Sequence, residues 1–427
     1  MSSKTKVSAT KSATKEDSNP ALVPQLRFPE FQEADGWRES LLKEMLTEHE
    51  LQSDGKCEVH SVSVHKGVIN QKEHLGRSFA AADTSRYNLA KPYDVIYTKS
   101  PTGDFPFGVV KHNHLGFNVI VSPLYGVFSP ETPWLGYIFD AYFESPSRAN
   151  SYLAPITQKG AKNTIQITNQ TFLSKGLYLP RDPAEQKKIA EFLTSVDELI
   201  VTQVRKVDAL KTHKKGLIQQ LFPREGETQP RLRFPEFQDA EEWKEKRLGK
   251  LFSNRVEKGT AGLPLYSVTM NDGMVKRASL AREFDDIATP EGNKRVHKRD
   301  ISYNMMRMWQ GALGVAIEDC LVSPAYIVLS PCADVWPDFF AYLFKLPESL
   351  RLLTAHSRGL TKDRLRLYYN DFALIPVRCP GFSEQQRIAD CLTSLDDLIA
   401  ANIKKLEALK THKNGLLQQL FPSSGRG

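Results

Sequence analysis

The feature that most constrains this chain is a 39-residue segment that occurs twice. Residues 185–223 and 384–422 are identical at about 24 of 39 positions and align without a gap at an offset of 199 residues. Self-similarity of this kind indicates an internal repeat, which has to be recognised before any local pattern is interpreted. Both copies begin with Glu-Gln and end with Gln-Gln-Leu-Phe-Pro.

Both copies are predicted to be long helices. Apolar residues recur at alternating spacings of four and three, from Ile189 to Leu221 and from Ile388 to Leu420. A 3.5-residue period sustained over about five heptads is typical of a coiled-coil seam, and at 1.5 Å per residue each helix spans roughly 60 Å. Polar residues interrupt both seams at the same two positions, and such residues set the register of a coiled coil. They are Gln203 and Lys214 in the first copy and Asn402 and Lys413 in the second.

The starts of the two helices carry capping residues. Asp182, the proline after it and Glu185 predict an N-cap, a proline in the first turn and a capping-box acid. In the second copy, Ser383 and Gln386 are predicted to play the same part. Capping accounts for Glu185, which next to a glutamine otherwise resembles half of an active-site pair.

The repeat extends beyond the helices to each half of the chain. Leu-Arg-Phe-Pro-Glu-Phe-Gln occurs at 26–32 and again at 232–238, followed by Trp37 and Trp243. If a pseudo-twofold relates the halves, the first opening segment meets the end of the second helix and the second meets the end of the first. Between them, short β-branched and aromatic runs bounded by Gly, Pro and Asp predict strands and turns. Short amphipathic helices are predicted around 134–144 and 336–345.

The predicted fold class is therefore α+β, with two mixed α/β domains separated by two long antiparallel helices. Residues 1–20 are predicted to be a disordered basic tail, because they contain almost nothing to bury. The remaining predicted segments are a first domain at 21–180, a first spacer helix at 181–223, a second domain at 224–379 and a second spacer helix at 380–422.

Composition excludes several classes of protein. A hydrophobic content of 41% and a charged content of 25% are ordinary for a soluble globular chain. No apolar run approaches the length of a membrane span, and no signal-peptide stretch is evident. Five scattered cysteines without a CxxC pair favour a reducing compartment, so a cytoplasmic location without membrane association is expected. The net charge of +7 permits a polyanionic partner without requiring one.

Taken together, the paired Glu-Gln-x-x-Ile-Ala helices, the Leu-Phe-Pro ends, the Leu-Arg-Phe-Pro-Glu-Phe openings and two Val-Ser-Pro-x-Tyr blocks resemble the specificity subunit of a Type I restriction-modification system. The resemblance implies two target-recognition domains that each read one half of an asymmetric bipartite site in double-stranded DNA. It implies that the helices set the spacing and dock two modification (methyltransferase) subunits, which use S-adenosylmethionine. It also implies restriction (translocase and nuclease) subunits, which use ATP and Mg²⁺.

The sequence predicts no chemistry and no bound cofactor in this chain. It contains no phosphate-binding GxxxxGK[ST] loop, no dinucleotide fingerprint and no Asn/Asp-Pro-Pro-Tyr/Phe-type loop for a flipped base. Two histidines, His112 and His114, lack a third ligand in a recognisable pattern, so no metal site is predicted. An alternative from another class stays open, namely a non-enzymatic coiled-coil scaffold that presents two protein-binding domains.

Candidate DNA contacts are cations, amides and one threonine in loops that contain glycine or few acids. Arginine and lysine suit phosphates and guanine edges, and asparagine suits adenine edges, although each of these loops could simply be solvated. Tyr303 and Tyr326 are predicted to be core or strand residues instead. The first-half candidates are Lys99, Thr102, Lys111, Asn113, Lys159, Lys162 and Asn163. The second-half candidates are Lys294, Arg295, Lys298, Arg299, Arg307, Arg358, Lys362 and Arg364.

Overall fold

The structure is a computed structural model that describes residues 20–53, 55–76, 83–159, 165–280 and 289–422. It divides into two compact units, the first formed by Met1–Gln203 with Lys405–Gly427 and the second by Val204–Lys404. Both boundaries fall inside long helices, so each unit contains part of each helix. The predicted tail lies outside the described residues except for residue 20. Within the described residues, no helix is both long enough and apolar enough to cross a membrane.

The first unit is a mixed α/β globule. Its strands are β1 (Glu39–Leu41), β2 (Leu46–Glu48), β3 (His60–Ser63), β4 (Gly67–Asn70), β5 (Asn88–Ala90), β6 (Val95–Tyr97), β7 (Val110–His112), β8 (Val119–Val121), β9 (Gly126–Pro130), β10 (Gln158–Lys159), β11 (Ile165–Gln166) and β12 (Gly176–Tyr178). Its helices are α1 (Gln71–Leu75), α2 (Pro133–Phe143), α3 (Pro146–Leu153), α4 (Asn169–Leu173) and the beginning of α5 (Pro183–Leu221).

An antiparallel four-stranded sheet in the order β2-β9-β6-β7 is the centre of the first unit. All three residues of β6 are fully buried, which explains why this strand is apolar throughout instead of alternating. Four further strand pairs, β1-β12, β3-β4, β5-β8 and β10-β11, complete the unit. The core also takes in Ile189 and Leu193 from the start of α5.

In the described part of the second unit there are ten strands, the end of α5 and the remaining helices. Its strands are β13 (Lys244–Arg247), β14 (Phe252–Asn254), β15 (Tyr266–Val268), β16 (Met274–Lys276), β17 (Lys294–Val296), β18 (Ile301–Asn304), β19 (Leu313–Val315), β20 (Cys320–Val322), β21 (Tyr326–Pro331) and β22 (Pro376–Cys379). Its helices are α6 (Leu248–Leu251), α7 (Pro337–Leu343), α8 (Pro347–Ala355), α9 (Tyr369–Phe372) and the beginning of α10 (Phe382–Leu420).

The second unit repeats the strand order of the first. The sheet β14-β21-β18-β19 corresponds to β2-β9-β6-β7, and the pairs β13-β22, β15-β16 and β17-β20 correspond to β1-β12, β3-β4 and β5-β8. The α+β class is confirmed, as are the short helices predicted after the ninth and twenty-first strands. Tyr303 is fully buried in the core and Tyr326 begins β21, as expected for core and strand residues.

The two long helices span 39 residues each, but only one start agrees with the predicted capping. Asp182 Oδ1 accepts a hydrogen bond from Ala184 N at 2.9 Å, as an N-cap does. The second prediction is wrong, because α10 already begins at Phe382 and Ser383 lies inside its first turn. There the backbone carbonyl of Gly381 accepts the first amides of the helix.

The predicted meeting of each opening segment with the end of the other helix is confirmed inside each unit. In the first unit, Leu26 N donates to Gln419 O at 3.1 Å, and in the second unit Leu232 N donates to Gln220 O at 3.0 Å. Aromatic contacts accompany these bonds: Trp37 packs on Phe421, and Trp243 packs on Phe222. A helix end that arrives from the distant sequence therefore completes the core of each unit.

Candidate nucleic-acid interface

A buried ion pair holds the start of the long helix in each unit. Arg27 donates from Nε to Glu185 Oε1 at 2.7 Å and from Nη2 to Oε2 at 2.9 Å, and Trp37 Nε1 donates to the same carboxylate at 3.2 Å. The hydrogen bond to Glu185 raises the pKa of Arg27. This carboxylate is therefore a structural anchor, which replaces the predicted capping-box role. The second unit repeats the arrangement with Arg233, Trp243 and Glu384.

The seam lysines are ion-paired within their own units. Lys413 lies 2.7 Å from both Glu144 and Asp197 in the first unit. Lys214 binds Asp396 in the second unit and lies 5.0 Å from the centre of the Tyr342 ring. The other two polar seam residues, Gln203 and Asn402, are buried. Their role in setting the register stays a prediction.

The candidate DNA contacts fall at opposite ends of a central strand. In the second unit, Arg299 precedes β18 and Arg307 follows it, and four residues of strand span about 13 Å. In the first unit, Asn113 N donates to Asp94 O, which places the end of β7 beside the start of β6. Lys99 instead follows the end of β6. The predicted contacts therefore form two groups, one at the start of the central strand and one at its end.

Around the start of β6, the candidates are buried and satisfied internally. Asn113 is fully buried, and its side-chain amide donates to Ala90 O and Phe117 O. Lys111 is buried too, with Nζ 2.7 Å from Asp140 Oδ1. Burial lowers the pKa of Lys111, but attraction to Asp140, the hydrogen bond to it and attraction to Glu144 together outweigh burial, and the net pKa is raised. These two residues are corrected to structural roles, because a buried and bonded group cannot face DNA.

The pair of histidines beside Lys111 is also explained without a metal. His112 Nδ1 lies 2.8 Å from Asp140 Oδ2, and burial followed by the nearby charge of His112 lowers the pKa of His114. Among the residues that the structure describes, no group of three or more His, Cys, Asp or Glu side chains could hold a metal ion.

Around the start of β18, most cations of the dense basic stretch have internal partners. Lys294 Nζ donates to the Tyr326 carbonyl. Arg295 pairs with Glu257 and Asp319. Arg299 lies over the Trp336 ring, 4.1 Å from its centre, and pairs with Asp338. Lys298 is the exception, since its side chain is exposed. Arg295 and Arg299 are thus committed to internal carboxylates, and contact of this stretch with phosphates stays a prediction.

The end of β18 carries cations that face outward. Arg307 is exposed in the loop after the strand. Next to that loop lies the hairpin 358–366, because Leu367 N donates to Met305 O at 2.9 Å. Arg358 and Arg364 are exposed on the hairpin, and Arg358 pairs with Asp371. Arg364 has no ion pair among the described residues.

Sequence reasoning missed two exposed residues of this hairpin, Arg366 and Leu360. Arg366 lies beyond the glycine-containing stretch that carries the predicted contacts. The close spacing of Arg364 and Arg366 in the sequence is the signal that could have revealed it.

The first unit has loops at the corresponding positions. Lys99 is half-buried with φ at 54°, and burial lowers its pKa. Thr102 is exposed in the same loop. Lys159 lies in β10, which pairs with β11, but its side chain is outside the described set, as are Lys162, Asn163 and the Lys362 side chain. For these four residues, contact with DNA stays a prediction.

The fold matches solved structures although no family model and no curated protein matches the sequence. A crystal structure of the Type I restriction-modification system S subunit from M. genitalium aligns with a TM-score of 0.56 and 14% identity, over 94% of this chain and 100% of that one. A structure on complex assembly and conformational transition of the type I R-M system aligns with a TM-score of 0.48 and 16% identity, over 91% of this chain and 98% of that one. The crystal structure of the HsdS subunit from Thermoanaerobacter tengcongensis aligns with a TM-score of 0.42 and 15% identity, over 90% of this chain and 96% of that one.

Two observations lead to one conclusion. The same strand order repeats in the two units, each completed by the end of a long helix, and the alignment with the M. genitalium protein covers nearly the whole chain. The chain has the fold of the S subunit of a Type I restriction-modification system.

Proposed function

We propose that this chain is the non-catalytic DNA-recognition subunit of a Type I restriction-modification complex. Each unit reads one half of an asymmetric bipartite site in double-stranded DNA. The observation that carries the proposal is one strand order, present twice, with different residues at the loop ends: Arg307 and Arg364 in the second unit, Lys99 and Thr102 in the first. Scaffolds with the same central strand order and unlike loops suit two unlike half-sites.

The proposed DNA-facing surface is the end of β18 with the hairpin 358–366 in the second unit and the loop after β6 in the first. At the other end of the strand, Arg295 and Arg299 form ion pairs with internal carboxylates. Arg307, Arg364 and Arg366, by contrast, are exposed. Exposed cations can displace counterions from phosphates, which is the main source of affinity in such complexes. This surface positions the protein, and the side chains at the loop tips read the bases.

The long helices are proposed to set the spacing of the half-sites and to dock two modification subunits. Each helix presents apolar residues to solvent at equivalent positions, Leu199 in α5 and Leu398 in α10, which are 58% and 43% exposed. Apolar side chains at matching places on two helices suit two copies of one partner. S-adenosylmethionine is then bound by the modification subunits, and ATP with Mg²⁺ by the restriction subunits. This chain binds none of them.

DNA selection with the purified full-length chain tests the proposal. Duplexes that it retains from a randomised pool are expected to share two short motifs at a constant separation, and retention should weaken steeply with salt. Replacing residues 45–180 by the corresponding domain of another S subunit should change one motif and leave the other. Retention without any shared motif, or two changed motifs, would contradict recognition by two independent units.

The same preparation also tests the absence of catalysis. Transfer of tritium from labelled S-adenosylmethionine to the retained duplex should require added modification subunits. Transfer by the chain alone would show that it carries a catalytic site.

A further inference from the structure

The hairpin of the second unit ends in an apolar side chain. Leu360 is 99% exposed, the highest value among the large apolar residues of the described part of the chain. A single exposed leucine on a protein surface is common and needs no explanation by itself. The setting of this leucine is what distinguishes it from other exposed apolar residues such as Leu374.

The loop that carries Leu360 is held closed by its own backbone. Arg358 and Arg366 exchange two backbone hydrogen bonds of 2.9 Å at its neck. Next to the leucine, Gly359 has φ of 154°, and a Cβ atom there would lie 2.6 Å from the Arg364 carbonyl oxygen. A glycine is therefore needed where the loop closes. The leucine is presented by a compact hairpin and does not hang from an extended chain.

Positive charge surrounds this side chain. Arg364 and Arg366 are exposed in the same loop, and Arg358 is exposed but paired with Asp371. The loop sequence adds Lys362 against a single acid, Asp363, so residues 358–366 contain four cations and one anion. A polyanion is the partner that suits these charges. Apolar wedges flanked by arginine or lysine are a recurrent way in which proteins enter a DNA base stack.

On the basis of the proposed function, we propose that Leu360 inserts between adjacent base pairs of the half-site that the second unit reads. The exposed arginines on either side hold the phosphates that border this step. Burial of the leucine and the added phosphate contacts offset the cost of unstacking, which is lowest at flexible pyrimidine–purine steps. The second unit would then select its half-site partly by how easily that step opens.

Fluorescence of 2-aminopurine tests the insertion with the full-length chain. A duplex selected by the wild-type chain is prepared with 2-aminopurine replacing each adenine of the site in turn, because this base brightens when it is unstacked. We expect one position in one half-site to brighten severalfold when the wild-type chain binds. The L360A variant should abolish this signal and weaken binding about tenfold, as expected for a lost leucine contact.

Control variants separate insertion from other effects. Leu374→Ala removes the same atoms from another exposed site in the second unit and should change neither fluorescence nor affinity. Leu360→Phe should keep the signal, since an aromatic ring can also act as a wedge. Thermal unfolding of Leu360→Ala should match wild type, because the side chain touches solvent.

Two results would overturn the inference while leaving DNA recognition intact. One is sequence-selective binding in which no position brightens, which would make Leu360 a groove contact or a contact for another protein. The other is a signal that persists in Leu360→Ala. Failure to select any duplex would instead remove the DNA-recognition role itself, and the insertion with it.

Discussion

Arg27 and Glu185 form a two-pronged ion pair across 158 residues of sequence, with both side chains almost entirely buried. The pair joins the opening segment of the first unit to the first turn of α5. Arg233 and Glu384 repeat it in the second unit, with side-chain exposures of 11% and 3%. Because each pair lies inside one unit, each contributes to the stability of that unit.

Removing the charge of this anchor should destabilise the unit that contains it. Glu185→Gln leaves a buried guanidinium without its counter-ion, which typically costs about 3 kcal/mol of unfolding free energy. Glu384→Gln should have a similar effect on the second unit. Glu191→Gln is the control, because Glu191 is half-exposed in a surface pair with Lys187. Urea unfolding followed by circular dichroism would measure the difference, and equal midpoints for all three variants would contradict the anchor role.

The two seam lysines should contribute unequally to stability. Lys413 is 10% exposed and binds two carboxylates, whereas Lys214 is 19% exposed and binds one carboxylate that is 44% exposed. Lys413→Met should therefore cost about 2 kcal/mol and Lys214→Met about half as much. Thermal unfolding of the single variants would test this order. A larger effect at Lys214 would show that the partners of Lys413 are already well solvated.

Asp140 should make the first unit sensitive to acid. Burial raises the pKa of this carboxyl, but attraction to Lys111 and bonding to His112 outweigh burial and hold the pKa well below its ordinary value. A carboxylate with a depressed pKa stabilises the fold above its unfolded pKa of about 4. That contribution is lost as the pH falls toward the folded pKa.

The wild-type chain should accordingly lose stability below about pH 4. The Asp140→Asn variant should be less stable than wild type by about 3 kcal/mol at neutral pH, and its stability should fall less steeply as the pH is lowered. Urea midpoints between pH 3 and pH 7 would measure both curves. Parallel curves would show that other carboxyls dominate the acid response.

DNA affinity should depend on the exposed cations and not on the paired ones. Arg364→Ala should lower affinity for all sequences and reduce the slope of log affinity against log salt by about 0.9, the value for one phosphate contact. Arg295→Ala is the matched control, because this arginine is committed to Glu257 and Asp319. Mobility shifts at several salt concentrations would compare them. A loss of DNA affinity in Arg295→Ala but not in Arg364→Ala would show that the DNA-binding surface lies at the start of β18.

Helix length should control half-site spacing. Inserting four residues after Gln203 adds about 6 Å of helix, which corresponds to one or two base pairs at 3.4 Å each. Sites selected by the lengthened chain should keep both motifs and change only the interval between them. An unchanged interval would show that α5 does not determine the spacing.

The repeat by itself determined much of this fold. Two 39-residue helices could be predicted because a 3.5-residue apolar period persists over their whole length, and the pairing of each opening segment with the other helix followed from the order of the repeated motifs. The start of α10 could not be predicted, because a serine near a helix start resembles a cap whether or not the turn before it is already helical.

Which of the candidate cations are exposed was decided only by the tertiary structure. Lys111 and Arg299 resemble free loop cations in the sequence, yet the carboxylates that bind them, Asp140 and Asp338, lie 29 and 39 residues away. Burial and pairing of a charge depend on such distant partners, which no local pattern reveals. Leu360 is the opposite case. A leucine in a sequence suggests a core position, and only the structure of the hairpin shows that this one is exposed to solvent.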